Sequence, residues 1–147
     1  MIQPVSHVHE PVAPAKSGVD RISLTLPKSD AFISAVRLTV AGIGMRAGLS
    51  FETIEDLKII VSEACTYCTR RGGSAGKLHV GLEIGRGRVV VSISDSGFVL
   101  APTSAPKRLP GEYEPDELFI IRNLADEFNH RLTPGRGLKL RITKSVD

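Results

Sequence analysis

The sequence predicts an α+β fold: a two-layer α/β sandwich whose mostly antiparallel sheet carries helices on one face. Three observations predict it. Apolar residues recur at spacings of three and four from residue 54 to residue 68, the repeat of an amphipathic helix. The period then drops to two through residues 78–84 and 89–93, on either side of Gly85-Arg86-Gly87, which is the pattern of a β-hairpin. A second alternating pair, 127–133 and 138–146, closes the chain across Pro134-Gly135-Arg136-Gly137. The resulting order, β-α-α-β-β-loop-α-β-β, groups helices against antiparallel hairpins.

At 147 residues, 41% hydrophobic and 24% charged, the chain has room for one domain and the composition of a globular one. Such a chain buries roughly two-thirds of its surface without metal or disulfide support. Trp is absent and aromatics make up 5%, so the core must be Ile, Leu and Val. No run approaches the length of a membrane span, and MIQPVSHVHEPVAPAKSG has neither a basic leader nor a continuous apolar stretch, which predicts a cytoplasmic protein without a signal peptide. Nineteen Lys and Arg against 16 Asp and Glu give 19 − 16 = +3. That excess is too small and diffuse to point to nucleic acid.

Residues 1–18, with Pro4, Pro11 and Pro14 and no periodicity, read as a mobile tail, and His7 and His9 as its solvated side chains. The domain proper is 19–147. Arg21–Leu26 alternates and stops at Pro27, a first strand. Ser29 or Asp30 caps a first helix with apolar positions Phe32, Ile33, Val36, Val40 and Ile43, and Gly48 ends it. Ser50 caps a second helix whose stripe is Ile54, Leu57, Val61, Ala64 and Cys68, with Glu52 and Glu55 near the positive end of its dipole and Arg71-Gly72-Gly73 at its close. Residues 98–116 hold four prolines and read as a long loop, a length often given to lids. A short helix follows from about Asp116 to Asp126.

Several motifs have plain explanations. Cys65-Thr66-Tyr67-Cys68 lies near the C-terminal end of a helix, where nothing lowers a thiol pKa, so the pair reads as buried core and not as a redox or zinc site. Gly73-Ser74-Ala75-Gly76-Lys77 lacks the spacing of a phosphate loop and precedes a strand where a helix is required. Arg131, Arg136, Lys139, Arg141 and Lys144 read as a solvated sheet face, with no aromatic platform for single-stranded nucleic acid. Glu63 sits beside the buried stripe at the end of the helix less favourable to an acid. It is either an exposed residue of no consequence or part of a site.

Residues 35–66, AVRLTVAGIGMRAGLSFETIEDLKIIVSEACT, resemble the anti-sigma-factor serine kinases. These belong to the superfamily of ATP-binding (GHKL, or Bergerat) folds that includes histidine kinases, gyrase and a large heat-shock chaperone. The likeness extends over about 21–146, through Asp95-Ser96-Gly97 and the closing hairpin. It implies that Glu63 prepares a partner's serine for attack on ATP. It further implies that Asp95 accepts from the adenine amine while Gly97 lets the base approach the backbone, and that Arg37 grips a sigma factor or an anti-anti-sigma protein. A homodimer acting in stress-response transcription is the family's habit.

Two positions depart from the family. Its Mg²⁺-holding Asn falls on Tyr67, a neutral phenol and a poor ligand for that ion. Its glycine-rich phosphate cradle falls on Glu114-Pro115-Asp116-Glu117-Leu118. Proline donates no N–H, and a carboxylate 4 Å from a phosphate charge costs about 4 kcal/mol at an effective dielectric of about 20. The expectation is therefore a regulator that binds a sigma factor or anti-anti-sigma protein with a degraded ATP site, with no cofactor, and not an enzyme. The alternative is an active kinase using ATP and Mg²⁺, with Glu63 as its catalytic carboxylate.

Overall fold

The computed structural model describes residues 18–99 and 117–146. The tail with His7 and His9, most of the expected 98–116 loop, and Glu114 to Asp116 lie outside the described residues. In chain order the elements are β1 (Val19–Pro27), a 3₁₀ turn (Asp30–Phe32), α1 (Ile33–Arg46), α2 (Phe51–Arg71), β2 (Lys77–Gly85), β3 (Arg88–Asp95), α3 (Phe119–Leu124), β4 (Glu127–Thr133) and β5 (Gly137–Ser145). The fold class is α+β, as expected.

The strands form one sheet in the order β1-β2-β3-β5-β4, and every neighbouring pair is antiparallel. Register aligns apolar positions into rows that cross the sheet. Ile22, Leu82, Val91, Ile142 and Phe128 make one row, and Leu24, Val80, Ile93 and Leu140 the next. Leu26, Leu78, Asp95 and Leu138 make the third. These rows pack with Val36, Val40, Leu57, Ile60, Val61, Ala64, Cys65 and Cys68 of the helices. The alternate positions, such as Thr25, His79, Lys139 and Arg141, are exposed, so Lys139 and Arg141 of the final strand present their charges to solvent. Lys144, expected on the same face, instead lies on the opposite side of the strand, pairs with Asp56 at 3.2 Å and donates to Leu124 O at 2.7 Å.

α2 is built as its sequence demands. The Ser50 hydroxyl accepts from the Thr53 N–H at 3.1 Å, and the expected stripe is buried. α1 closes on Gly48, whose φ of 74° lets its own N–H reach Met45 O and the Leu49 N–H reach Gly44 O. Two expectations need correction. The α-helix begins at Ile33 and not at the Ser29 cap, because Ser29 caps a 3₁₀ turn; that tighter turn shifts the phase, and Phe32 ends up exposed. The third helix is also shorter than 116–126. Leu118 at its start offers no side-chain cap, and at its end the Asp126 N–H is taken by Thr143 O, which draws the chain into the sheet.

Candidate functional site

Strand phase carries Asp95 into the core. It follows Val91 and Ile93 at period two, so it faces the helices, between Leu78 and Leu138 of the neighbouring strands. Its side chain has no solvent exposure. A carboxylate in such a place needs a counter-charge, and Lys28 supplies it. The lysine follows β1 and brings Nζ to 2.7 Å from Asp95 Oδ2, itself with no exposure. The same ammonium donates to Gly72 O at 2.9 Å. Gly72 caps α2, so the lysine also meets the negative end of that helix dipole. The loop bearing Lys28 is held by the Thr69 hydroxyl, which donates to Asp30 at 2.9 Å, and by the Ser29 N–H, which donates to Pro27 O.

The turn after Asp95 is packed closely. The Phe98 N–H returns to Asp95 O, and the Val99 N–H donates to Gly72 O at 3.1 Å. Phe98, expected to open the long loop, is instead buried in the core. A Cβ at Gly97 would run into the carbonyl oxygen of Ala75. One at Gly72 would meet Phe98 and come within 2.9 Å of Asp95 Oδ2. Both positions thus require glycine for want of space.

One step outward lies a cleft of about 130 Å³ lined by Glu63, Thr66, Tyr67, Arg70, Arg71 and Glu117. Glu63 and Tyr67 are four residues apart on α2, so their side chains share a face. The Tyr67 ring stacks on Phe98, with centroids 5.8 Å apart and planes 19° from parallel. Arg71 Nε donates to both oxygens of Glu117 at 2.8 Å. That fork compensates the charge of Glu117, one of the three acids expected to repel phosphate; Glu114 and Asp116 lie outside the described residues. Arg37 takes no part here. It lies exposed on α1, about a quarter-turn round the helix from Leu38 and Met45, which share one side and are 74% and 73% exposed.

The cysteines behave as core. Both are free and buried; burial pushes the Cys65 thiol up to about 12, and burial together with the Asp95 charge pushes Cys68 to about 12. Among the described residues no cluster of His, Cys, Asp or Glu could hold a metal, and no helix is long and apolar enough to cross a membrane.

Sequence reasoning singled out Glu63, Tyr67, Asp95 and Gly97, and the structure links them through Phe98 and Gly72. It missed Lys28, Phe98 and the Arg71–Glu117 fork. The burial of Asp95 was available from strand phase alone, and it implied a cation from elsewhere in the chain.

This five-stranded sheet with α2 laid across it, and an Asp-x-Gly turn at the end of its central strand, defines a histidine kinase-like ATPase domain. The model of that domain matches residues 26–144, and the chain belongs to this family. Within it, the chain is 33% identical over 142 residues to the serine-protein kinase RsbW of Listeria innocua serovar 6a, covering 87% of this chain and 88% of that protein. It is 31% identical over 146 residues to the RsbW of Staphylococcus aureus, covering 89% and 90%. The crystal structure of the RsbU and RsbW domains of Rv1364c from Mycobacterium tuberculosis shares the fold, with a TM-score of 0.67 over 86% of this chain at 17% identity. This chain spans 32% of that longer one. The resemblance read from residues 35–66 and Asp95-Ser96-Gly97 holds at the level of the family.

Proposed function

We propose that this chain is a partner-switching regulator of the anti-sigma type. It binds a sigma factor, an anti-anti-sigma protein or both through the α1 face around Arg37, acts in the cytoplasm as a homodimer, and transfers no phosphate. The observation that carries this reading is Tyr67. Where the family holds Mg²⁺ with an amide, this chain has a phenol stacked on Phe98, which offers the ion no carboxylate or amide oxygen. The relatives' kinase chemistry therefore lacks its metal ligand here, and no step through ATP is derived. The docking half of the reading draws on exposed Arg37 and on Leu38 and Met45, about a quarter-turn further round α1. Large exposed apolar side chains next to an arginine suit a protein interface.

A second reading, an ATP-dependent serine kinase, is favoured by one observation: Glu63 still faces the cleft of about 130 Å³. The two separate in one experiment. The purified chain is incubated with Mg²⁺-ATP and the anti-anti-sigma protein, and both are scored for complex formation and for phosphoserine. The regulator forms the complex without phosphate transfer, and Arg37→Ala loses the complex. Phosphoserine that disappears in Glu63→Gln would establish the kinase instead.

A further inference from the structure

We propose that Lys28 is a built-in occupant of the adenine position, and that it is the residue which keeps an adenine base out of this pocket. The inference rests on reading Asp95 as the family's adenine-recognising carboxylate. Recognition of that kind needs two things: a carboxylate oxygen free to accept from the exocyclic amine, and a gap beside the following glycine as thick as a base. The acceptor is present but closed off, and the gap is absent. Among the described residues both Asp95 oxygens lack a hydrogen-bond partner, yet the side chain is fully enclosed and the Lys28 ammonium stands 2.7 Å from Oδ2 as its counter-charge. The open side of Gly97 is taken by the Ala75 carbonyl, and at Gly72 the space between Phe98 and Asp95 Oδ2 is too small for a methyl group.

The competition is also decided by strength. An enclosed ammonium beside a carboxylate is held by charge–charge attraction, which a neutral aryl amine does not offer. Lys28 is already tethered, so it loses no translational freedom on pairing, whereas a nucleotide does. It also donates to the Gly72 carbonyl. Displacing it would leave Asp95 charged in the core facing only a neutral partner, an expensive arrangement. Adenine therefore enters only if the lysine is removed.

The test is calorimetric titration of the full chain with ATP, ADP and GTP, each with Mg²⁺, as wild type and as Lys28→Ala. Wild type is expected to give no heat at millimolar nucleotide. Lys28→Ala is expected to bind ADP at least about tenfold more tightly than wild type, and GTP no better, because guanine turns an acceptor oxygen toward the carboxylate. Micromolar ATP binding by wild type overturns the proposal. So does a folded Lys28→Ala that still ignores adenine nucleotides.

Because Lys28→Ala strands a buried charge, a second measurement uses wild type alone. Native protein is acylated at its amines and mapped by mass spectrometry, with and without millimolar ATP. Lys28 is expected to react at least about tenfold more slowly than exposed Lys77 and Lys139 in both conditions. Reaction at the surface rate, or exposure of Lys28 by ATP, overturns the proposal. A wild type that binds ATP yet transfers no phosphate sinks this inference and leaves the partner-binding reading standing. One that binds neither nucleotide nor partner does the reverse.

Discussion

Lys28 and Asp95 form a fully enclosed ion pair, Nζ to Oδ2 2.7 Å, between the exit of β1 and the exit of β3. Through Gly72 O the same lysine also holds the end of α2. One side chain thus joins the first strand, the third strand and the longest helix at the point where the family's nucleotide chemistry is placed.

A buried pair of this kind is worth little against an apolar replacement, but breaking it is costly, because the survivor is left charged in the core. Lys28→Met is therefore expected to destabilise the fold by about 3–5 kcal/mol. The double change Lys28→Met with Asp95→Leu, which keeps the branched shape of residue 95 in a row already holding Leu26, Leu78 and Leu138, should recover most of that. Urea unfolding of the wild type, both single variants and the double variant measures the coupling. Additive losses would mean that the pair does not act as a unit.

Arg37 should matter to partners and not to folding. It is exposed, so Arg37→Ala is expected to change stability by less than about 0.5 kcal/mol. Co-purification with a sigma factor or anti-anti-sigma protein should be lost in the same variant. A melting temperature several degrees lower would place Arg37 among structural residues.

The thiols give a pH signature. With Cys65 and Cys68 pushed up to about 12 from an ordinary value of 9.0, only about one molecule in 10⁵ carries either thiolate at pH 7. Native protein should resist a thiol reagent that modifies both residues in denaturant. The sign of the linkage follows from the raised values. Below pH 9 both states hold their protons and stability is unaffected. Above it the unfolded chain ionises first, so stability falls by up to about 1.4 kcal/mol per pH unit per thiol as pH rises toward 12. Denaturation midpoints flat through that range would show the thiols to be accessible.

The Arg71–Glu117 fork lies partly in water, with side-chain exposures of 27% and 47%. Arg71→Ala should therefore cost at most about 1 kcal/mol, less at high salt. Restoring the pair by Arg71→Glu with Glu117→Arg should return part of the loss. If the swap behaves no better than either single change, the fork holds nothing in place.

The folding elements were legible because each rests on local chemistry. Ser50 and Gly48 mark helix ends by capping geometry, the Ile54-to-Cys68 stripe fixes which face of α2 is buried, and the alternation in 78–84 and 89–93 needs only the pleat. The family, too, was readable from residues 35–66 with Asp95-Ser96-Gly97. The early end of α3 was not, because a carbonyl of β5, Thr143 O, captures the Asp126 N–H.

The sequence by itself determined the two layers, the candidate residues Glu63, Asp95 and Gly97, the departure at Tyr67, and the inertness of the cysteines. Only the tertiary structure decided what surrounds them. It set Lys28 on Asp95, Phe98 under Tyr67 and Arg71 on Glu117. The physical reason is that a buried charge or a stacked ring takes its partner from whichever segment the fold brings near. Lys28 beside Pro27 looks like any surface lysine until the sheet carries β1 and β3 to opposite sides of β2 and lays the end of α2 across their exits.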